Sequence, residues 1–288
     1  MTRGRGQRGQ DLIDTCTNLL AEIKPAGVRA VCYQLFVQGE ITSMARAETA
    51  RVSRFLTQAR EDSTIPWDWI TDETREVEAV STWDDPAAFA RSVTRAYKKD
   101  KWAAQPYRVE VWSEKGTIRG SLRPVLTQYE VPFRVMHGFG SATAVHDAAD
   151  TVDADERQLI ILYVGDWDPS GLFMSEKDLQ GRLDEYSNSQ NFFIKRVALT
   201  RLDLRRLPSF NVETKRDDPR HDWFLKEYGR KCWEVDALSP VMLRRRVEDA
   251  ILDYLDQTIW DRYVIAERVE QASITKAVKL WKDLKQAV

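Results

Sequence analysis

The sequence has few residues of the kinds that crosslink or anchor a protein. Three cysteines among 288 residues stand far apart, at positions 16, 32 and 232, which excludes a disulfide framework and a Cys-x-x-Cys metal site. No apolar run approaches the roughly 20 residues of a membrane span. The first ten residues, MTRGRGQRGQ, contain no hydrophobic signal region. These absences predict a cytoplasmic protein with no membrane segment.

Excess charge and nucleotide-binding loops are also missing. The formal net charge is −2, which argues against nonspecific coating of nucleic acid. No GxxxxGK[ST] loop occurs, so the chain alone is not expected to hydrolyse ATP. Residues 1–60 are nevertheless basic, whereas five acids cluster between residues 147 and 156. Such a chain can bind DNA if a metal neutralises the acids nearest the phosphates.

The first 82 residues predict a DNA-binding domain. After a flexible basic tail over residues 1–10, amphipathic patterns predict three helices, over residues 12–23, 28–37 and from about 43 to 61. The segment IPWDWITDE then alternates as a strand pair or wing does. Three helices followed by a wing, within residues 11–82, are typical of a winged helix.

The third predicted helix carries the arginines expected to contact DNA. In a winged helix the later helix enters the major groove, so we predict DNA contacts for Arg46, Arg51 and Arg54. A solvated helix face is the alternative, because arginine is common on surfaces.

The remainder of the chain changes pattern. A predicted helical linker covers residues 83–103, and two charged amphipathic helices are predicted over residues 239–288. Between them, over residues 104–238, short apolar strands alternate with helices, which predicts a mainly parallel, doubly wound sheet. The predicted strands are YRVEVWS, VPFRVM, QLIILYVGD, FFIKRVAL and KCWEVDAL. The fold class expected is therefore α+β in two domains, a winged helix followed by an α/β domain.

Two of these strands run directly into acids. Glu114 follows one strand, and Asp166 and Asp168 follow another. Residues i and i+2 of extended backbone point the same way, and ligands of open α/β sheets bind beyond the carboxyl ends of the strands. Converging oxygen ligands without cysteine or histidine suit Mg²⁺. The alternative is an Asp-rich turn that caps a helix.

These acids carry a resemblance to a known domain. Glu114-Lys115, followed about 50 residues later by Gly165-Asp-Trp-Asp-Pro-Ser-Gly171, resembles the Toprim domain of topoisomerases, primases and some nucleases. The form is most similar to the A subunit of type IIB topoisomerases and its meiotic double-strand-break relatives. The late segment WEVDAL, residues 233–238, is similar to an acidic strand of that group. The resemblance covers about residues 12–240.

The resemblance implies roles for named residues. Glu114 would act in acid/base chemistry and assist metal binding, and Asp166 and Asp168 would hold Mg²⁺, with Mn²⁺ as a substitute. Lys115 is predicted to contact DNA. At the same edge of the sheet, a polar loop contains further candidate contacts to DNA or metal. These candidates are Lys215, Asp218 and Arg220.

The resemblance also implies a nucleophile. The family cleaves DNA with a tyrosine four residues after an arginine, and Arg29 and Tyr33 match this spacing, although Cys32 stands where the family often has a second tyrosine. Helix geometry adds an independent argument. At about 100° per residue, Tyr33 lies well away from the apolar stripe of its helix and one turn from Arg29. A surface tyrosine or a dimer contact is the alternative.

Three functions remain open from the sequence. The first is Mg²⁺-dependent cleavage of double-stranded DNA through a covalent 5′-phosphotyrosyl end. The family works as a homodimer in which the tyrosine of one chain meets the acids of the other, and strand passage needs a separate ATPase subunit. The second is a hydrolytic Toprim nuclease, of the kind found in defence systems, that does not use a tyrosine. The third is a DNA-binding module with vestigial acids.

Overall fold

The computed structural model describes the backbone of residues 7–71, 80–136 and 142–286. The chain is α+β, with a four-stranded parallel sheet in the order β4-β3-β5-β6. The strands of this sheet are β3 (Arg108–Ser113), β4 (Phe133–Val135), β5 (Leu159–Val164) and β6 (Phe192–Ala198). Two pairs of two-residue strands complete the β structure. They are β1 (Ala26–Gly27) with β2 (Ile70–Thr71), which is parallel, and β7 (Phe210–Asn211) with β8 (Lys231–Cys232), which is antiparallel.

The described residues form two compact units. The first contains residues 1–75 and 109–253, and the second contains residues 76–108 and 254–288. The helices of the first unit are α1 (Gln7–Ile23), α2 (Val28–Val37), α3 (Arg46–Glu61), α5 (Arg119–Tyr129), α6 (Ala142–Asp153), α7 (Pro169–Phe173), α8 (Leu179–Tyr186), α9 (His221–Tyr228) and α10 (Pro240–Leu252). The helices of the second unit are α4 (Pro86–Ala96) and α11 (Gln257–Gln286).

Helices α1, α2 and α3 share one apolar core. Its largest contributions come from Ile13, Leu20, Leu35 and Leu56, which are almost completely buried. Helix α2 has the bounds that the sequence predicts, whereas α1 begins five residues earlier than predicted and α3 about three residues later. Residues 72 and 73, the end of the predicted wing segment IPWDWITDE, lie outside the described residues. The described part of that segment is a short 3-10 turn followed by β2, which pairs with β1 in front of α2.

The sheet is covered on both faces, which explains why its strands are continuously apolar. All six residues of β5 are buried. Leu159, Ile161 and Tyr163 belong to a core shared with α6 and α8, and α5 and α10 pack together and α10 contacts β5 and β6. The prediction of a strand over KCWEVDAL is wrong for most of that segment. Lys231 and Cys232 form the short strand β8, whereas Val235–Ala237 form a 3-10 turn.

The second unit is small and helical. Within it, the rings of Trp102 and Trp260 meet edge to face, with centroids 6.1 Å apart. The side-chain amide of Gln105 donates to the carbonyl of Asp256 at 3.1 Å and accepts from its backbone N–H at 2.7 Å. None of the described helices combines the length and the apolar character that a membrane span requires.

Candidate metal-binding and catalytic site

The central strands β3 and β5 end beside each other, and acids follow both. Glu114 comes directly after β3, and Asp166 and Asp168 come after β5. Both aspartates are almost inaccessible to solvent, with 4% and 2% of their surface exposed. Buried acids at the ends of apolar parallel strands are the arrangement predicted from the sequence, and they occupy the edge where α/β sheets bind ligands.

The turn after β5 is held tightly. The carboxylate of Asp168 accepts from the backbone N–H of Gly171 at 2.8 Å and so caps α7, with Pro169 in the first turn. A Cβ atom at Gly171 would lie 2.5 Å from the carbonyl oxygen of Asp166. Glycine is therefore required here because the helix approaches the strand end closely. It is not required for an unusual backbone conformation, since the φ angle of Gly171 is not positive.

Two lysines form ion pairs with the carboxylates of the site. The ammonium group of Lys115 lies 2.8 Å from Asp166, 2.9 Å from Asp236 and 3.3 Å from Glu234. The ammonium group of Lys215 lies 3.2 Å from Asp168. Lys115, which was predicted to contact DNA, is thus engaged with three acids of its own chain.

Glu234 and Asp236 join this site although they were not among the predicted site residues. Trp167 and Trp233 form an antiparallel bridge, with backbone N–H···O distances of 2.8 and 2.9 Å. Two residues after Trp233, the backbone N–H of Val235 donates to the carboxylate of Asp166 at 2.7 Å. The bridge therefore places the WEVDAL segment against the loop that carries Asp166 and Asp168.

Burial and mutual repulsion set the ionisation of the site. Burial, together with the charges of Asp166 and Asp168, raises the pKa of Glu114 from 4.5 to about 7. Burial likewise raises the pKa of Asp166 to about 6, although Lys115 opposes the shift. The pKa of Lys115 is raised because the surrounding carboxylates outweigh the opposing effect of its burial.

The residues present fit a divalent cation. Five carboxylates, those of Glu114, Asp166, Asp168, Glu234 and Asp236, face four cationic side chains, those of Arg29, Lys115, Arg196 and Lys215. The excess of carboxylates suits a hard cation with oxygen ligands. The hydroxyl of Tyr163, on which the charge of Glu114 acts, is buried and has no hydrogen-bond partner among the described residues. It offers a partner to a water molecule of a hydrated ion.

A second acidic group lies elsewhere. Side-chain atoms of His146, Asp147 and Asp150 lie within 4.8 Å of one another on α6, and all three residues are exposed. Exposed acids at helical spacing are common surface features, and this group is separate from the strand ends. It does not contribute to the site described above.

Helix α2 contacts the acidic site from the side of Glu234. The guanidinium of Arg29 forms an ion pair with Glu234 and another with Asp236 at 3.3 Å, and it lies 5.5 Å from the centre of the Tyr33 ring. Tyr33 lies outside the core shared by α1, α2 and α3, as its angular position on the helix predicts. It is not an open surface residue, however, because only 6% of it is exposed.

The environment of Tyr33 does not favour its phenolate. Burial raises the pKa of Tyr33 well above 10, the charge of Glu234 raises it further, and Arg29 and Lys115 oppose the shift only in part. The groups that act on Tyr33 belong to the same chain. The family resemblance implies that this tyrosine meets the acids of a partner chain, whereas Arg29, which lies beside Tyr33, forms its ion pairs with Glu234 and Asp236 of the same chain.

The remaining predicted site residues fall into two groups. Arg46, Arg51 and Arg54 are exposed on α3, and Arg51 forms an ion pair with Glu48 at 2.9 Å. In the polar loop, Lys215 reaches the site, whereas Arg220 and Asp218 pair with each other at 2.6 Å. Of the loop candidates, only Lys215 is thus shown in contact with the acids at the strand ends.

Comparison with known proteins does not assign the chain to a family. No protein-family model matches the chain, and no curated protein sequence matches it.

Proposed function

We propose that the chain is a Mg²⁺-dependent DNA-cleaving enzyme similar to the type IIB topoisomerase A subunit, in which Tyr33 attacks the DNA backbone. The observation that carries this proposal is the meeting of two predicted sites. Lys115 contacts Asp166 at the strand ends and also Glu234 and Asp236, which pair with Arg29. We assign the helical core of α1, α2 and α3 to a winged helix, and the sheet to a Toprim domain, as part of the same proposal.

The proposed reaction is a transesterification. The phenol oxygen of Tyr33 forms a bond to phosphorus, the bond from phosphorus to the 3′ oxygen breaks, and the DNA keeps a 5′-phosphotyrosyl end. The phenol proton passes to water once the contacts around Tyr33 open, because the charges of Lys115 and Arg29 lower the pKa of Glu234 and make it a weak base. Glu114 supplies a proton to the leaving 3′ oxygen, the acid role that the family resemblance implies.

The chain's own residues would hold the cation and the phosphate. Glu114, Asp166 and Asp168 supply oxygen ligands, and a bound Mg²⁺ would stabilise the charge that develops on the phosphate oxygens. Release of Lys115 and Lys215 from Asp166 and Asp168 would leave two ammonium groups free to bind phosphate oxygens near the cut.

The burial of Tyr33 favours a second candidate function. A phenol that is 6% exposed, with a raised pKa, is a poor nucleophile until the surrounding contacts open. A hydrolytic Toprim nuclease would keep the metal site and use a water molecule in place of the tyrosine. In that case Arg29 and Tyr33 would be structural contacts between α2 and the 3-10 turn Val235–Ala237.

A plasmid-cleavage assay distinguishes the two. Supercoiled plasmid is incubated with the protein and Mg²⁺ or Mn²⁺, stopped with denaturant, and run with and without protease digestion. We expect broken DNA that carries protein until it is digested. Tyr33→Phe should abolish both the covalent adduct and the cleavage, and Asp166→Ala should abolish cleavage while leaving the fold intact.

A control variant and three alternative outcomes decide between the proposed functions. Tyr186→Phe, on α8, changes a tyrosine outside the site and should retain full activity. Cleavage by the Tyr33→Phe protein with no covalent adduct would establish the hydrolytic function. Full activity of both Asp166→Ala and Asp168→Ala would exclude the proposed metal site, and DNA binding without any cleavage would leave a binding module.

A further inference from the structure

Arg196 on β6 donates all of its side-chain N–H groups within the chain. A guanidinium has five N–H donors, and the structure gives the group five acceptors. They are the carbonyl of Leu199 at 2.8 Å, the carbonyls of Gly171 and Gly165 at 3.1 Å, the carbonyl of Asp166, and the hydroxyl of Ser175. Four of these five acceptors are backbone carbonyls, so the guanidinium binds main chain, and among the described residues it forms no ion pair with a carboxylate.

These carbonyls lie on both sides of one short segment. Gly165 and Asp166 directly follow β5, and Gly171 lies in α7. The segment that these residues bound carries the carboxylates of Asp166 and Asp168. One rigid group thus bonds the carbonyls at both ends of the segment and constrains the distance between the strand end and the helix. Gly171 approaches the carbonyl of Asp166 closely, since a Cβ atom there would lie at 2.5 Å.

Aromatic rings limit the movement of the guanidinium. Its central carbon lies 5.3 Å from the centre of the Tyr163 ring and 5.7 Å from that of Trp167. Cations at such distances from a ring are attracted to it. Tyr163 precedes the segment that Arg196 bonds and Trp167 lies within it, so the rings and the carbonyls orient the guanidinium together.

We propose that Arg196 is a positioning residue for the candidate metal site, and that it holds Asp166 and Asp168 in the geometry that binds a divalent cation. Binding these carbonyls at the same time requires a planar guanidinium with five donors. A lysine would retain the positive charge but would supply three donors from one point, and could not span Gly165, Gly171 and Leu199 at once. The inference rests on the proposed metal site. Of its two tests, the second depends on that site and the first does not.

The first test needs no metal. Hydrogen–deuterium exchange of the full chain is measured for wild type and Arg196→Lys, with Arg182→Lys on α8 as a matched control. We expect amides of residues 165–172 to exchange at least about tenfold faster in Arg196→Lys because local opening becomes easier, with exchange in β5 unchanged. Ser175→Ala, which removes one acceptor, should give a smaller increase in the same segment. Unchanged exchange in residues 165–172 for both variants would overturn the proposal.

The second test measures binding of Mn²⁺ by electron paramagnetic resonance. Loss of a group that orients metal ligands typically weakens metal affinity by about 10- to 100-fold, and we expect a loss of that order for Arg196→Lys but not for Arg182→Lys. Equal Mn²⁺ affinity in wild type and Arg196→Lys would overturn the positioning role. Absence of Mn²⁺ binding in wild type would refute the proposed metal site, while the exchange measurement would still decide whether Arg196 holds the segment.

A variant that fails to fold also gives an answer. If Arg196→Lys unfolds as a whole, the decision passes to Ser175→Ala, which keeps the guanidinium and four of its acceptors. Faster local exchange and weaker Mn²⁺ binding in Ser175→Ala would support positioning. A fully wild-type Ser175→Ala beside an unfolded Arg196→Lys would show that Arg196 serves only the stability of the core.

Discussion

The carboxylates of Glu114, Asp166 and Asp168 are held close together with little access to water. Lys115 and Lys215 neutralise the aspartates, whereas the partner of Glu114 within the described part of the chain is the hydroxyl of Ser170, which donates to it at 3.3 Å. Glu114 is therefore the acid whose ionised form the fold stabilises least. Its raised pKa, about 7, follows from burial and from the neighbouring aspartates.

Stability should depend on pH through Glu114. Because the folded pKa of this acid lies above its unfolded value, ionisation opposes folding: the effect is absent below pH 4.5, grows between pH 4.5 and about 7, and is complete above pH 7. The shift corresponds to on the order of 3 kcal/mol. We expect Glu114→Gln to raise the melting temperature in EDTA above pH 7 and to leave it almost unchanged at pH 4.5.

The control for this measurement is Glu185→Gln, which changes an exposed acid on α8 and should give the same melting temperature as wild type at every pH. Addition of Mg²⁺ at pH 8 should stabilise wild type more than Glu114→Gln, because the variant lacks one ligand. A melting-temperature difference between Glu114→Gln and wild type that does not change with pH would contradict the raised pKa of Glu114.

At the scale of secondary-structure elements, periodicity alone predicts most of the architecture. Helix α2 has the predicted bounds, and the four long apolar segments of the sheet region are the four strands of the parallel sheet. This succeeds because strands buried on both faces are continuously apolar and end abruptly at polar residues. The position of Glu114, Asp166 and Asp168 at neighbouring strand ends follows from the same pattern.

Contacts between distant segments could not be predicted in this way. The apolar residues of KCWEVDAL suggest a strand, but they are buried through an isolated bridge to Trp167 and a 3-10 turn, neither of which has a periodic signal. The same limit applies to Tyr33. Helix geometry separates Tyr33 from the core of α1, α2 and α3, but it cannot show that α2 also packs against Val235–Ala237, which lies about 200 residues later in the chain.

Helix α3 carries a prediction about DNA. Its buried residues Val52, Leu56 and Ala59 face the core, and Arg51 and Arg54 are exposed. Each lost phosphate contact lowers the slope of log affinity against log salt by about 0.9. We therefore expect Arg51→Glu and Arg54→Glu each to weaken duplex binding and to reduce that slope by about one, measured by fluorescence anisotropy across a salt series.

Charge reversal alone must be separated from loss of a contact. Arg123→Glu makes the same change on α5, at an exposed position outside α3, and should leave the slope close to that of wild type. A slope that is unchanged in Arg51→Glu and Arg54→Glu would show that α3 does not face DNA. A slope that falls equally in all three variants would indicate an effect of net charge.

At the scale of the whole molecule, the proposed reaction raises the question of which chain supplies each group. A double-strand break needs two active sites on opposite strands, which a two-fold homodimer supplies. The family resemblance implies that Tyr33 of one chain meets the acids of the other. In the structure, however, Arg29 pairs with Glu234 and Asp236 of its own chain, and α2 packs against the 3-10 turn that follows Glu234.

These contacts lead us to expect that each active site is assembled within one chain, and heterodimers purified with two tags can test this. In one heterodimer, Tyr33→Phe is paired with Asp166→Ala; in the other, wild type is paired with the double variant Tyr33→Phe/Asp166→Ala. Assembly within one chain leaves no intact site in the first and one in the second, so only the second should nick plasmid in the presence of Mg²⁺. Assembly across the dimer reverses both outcomes, because the first heterodimer then contains one complete site and the second contains none. Nicking by the first heterodimer alone would therefore show that Tyr33 leaves its contacts with Arg29 and Glu234 to reach the acids of its partner.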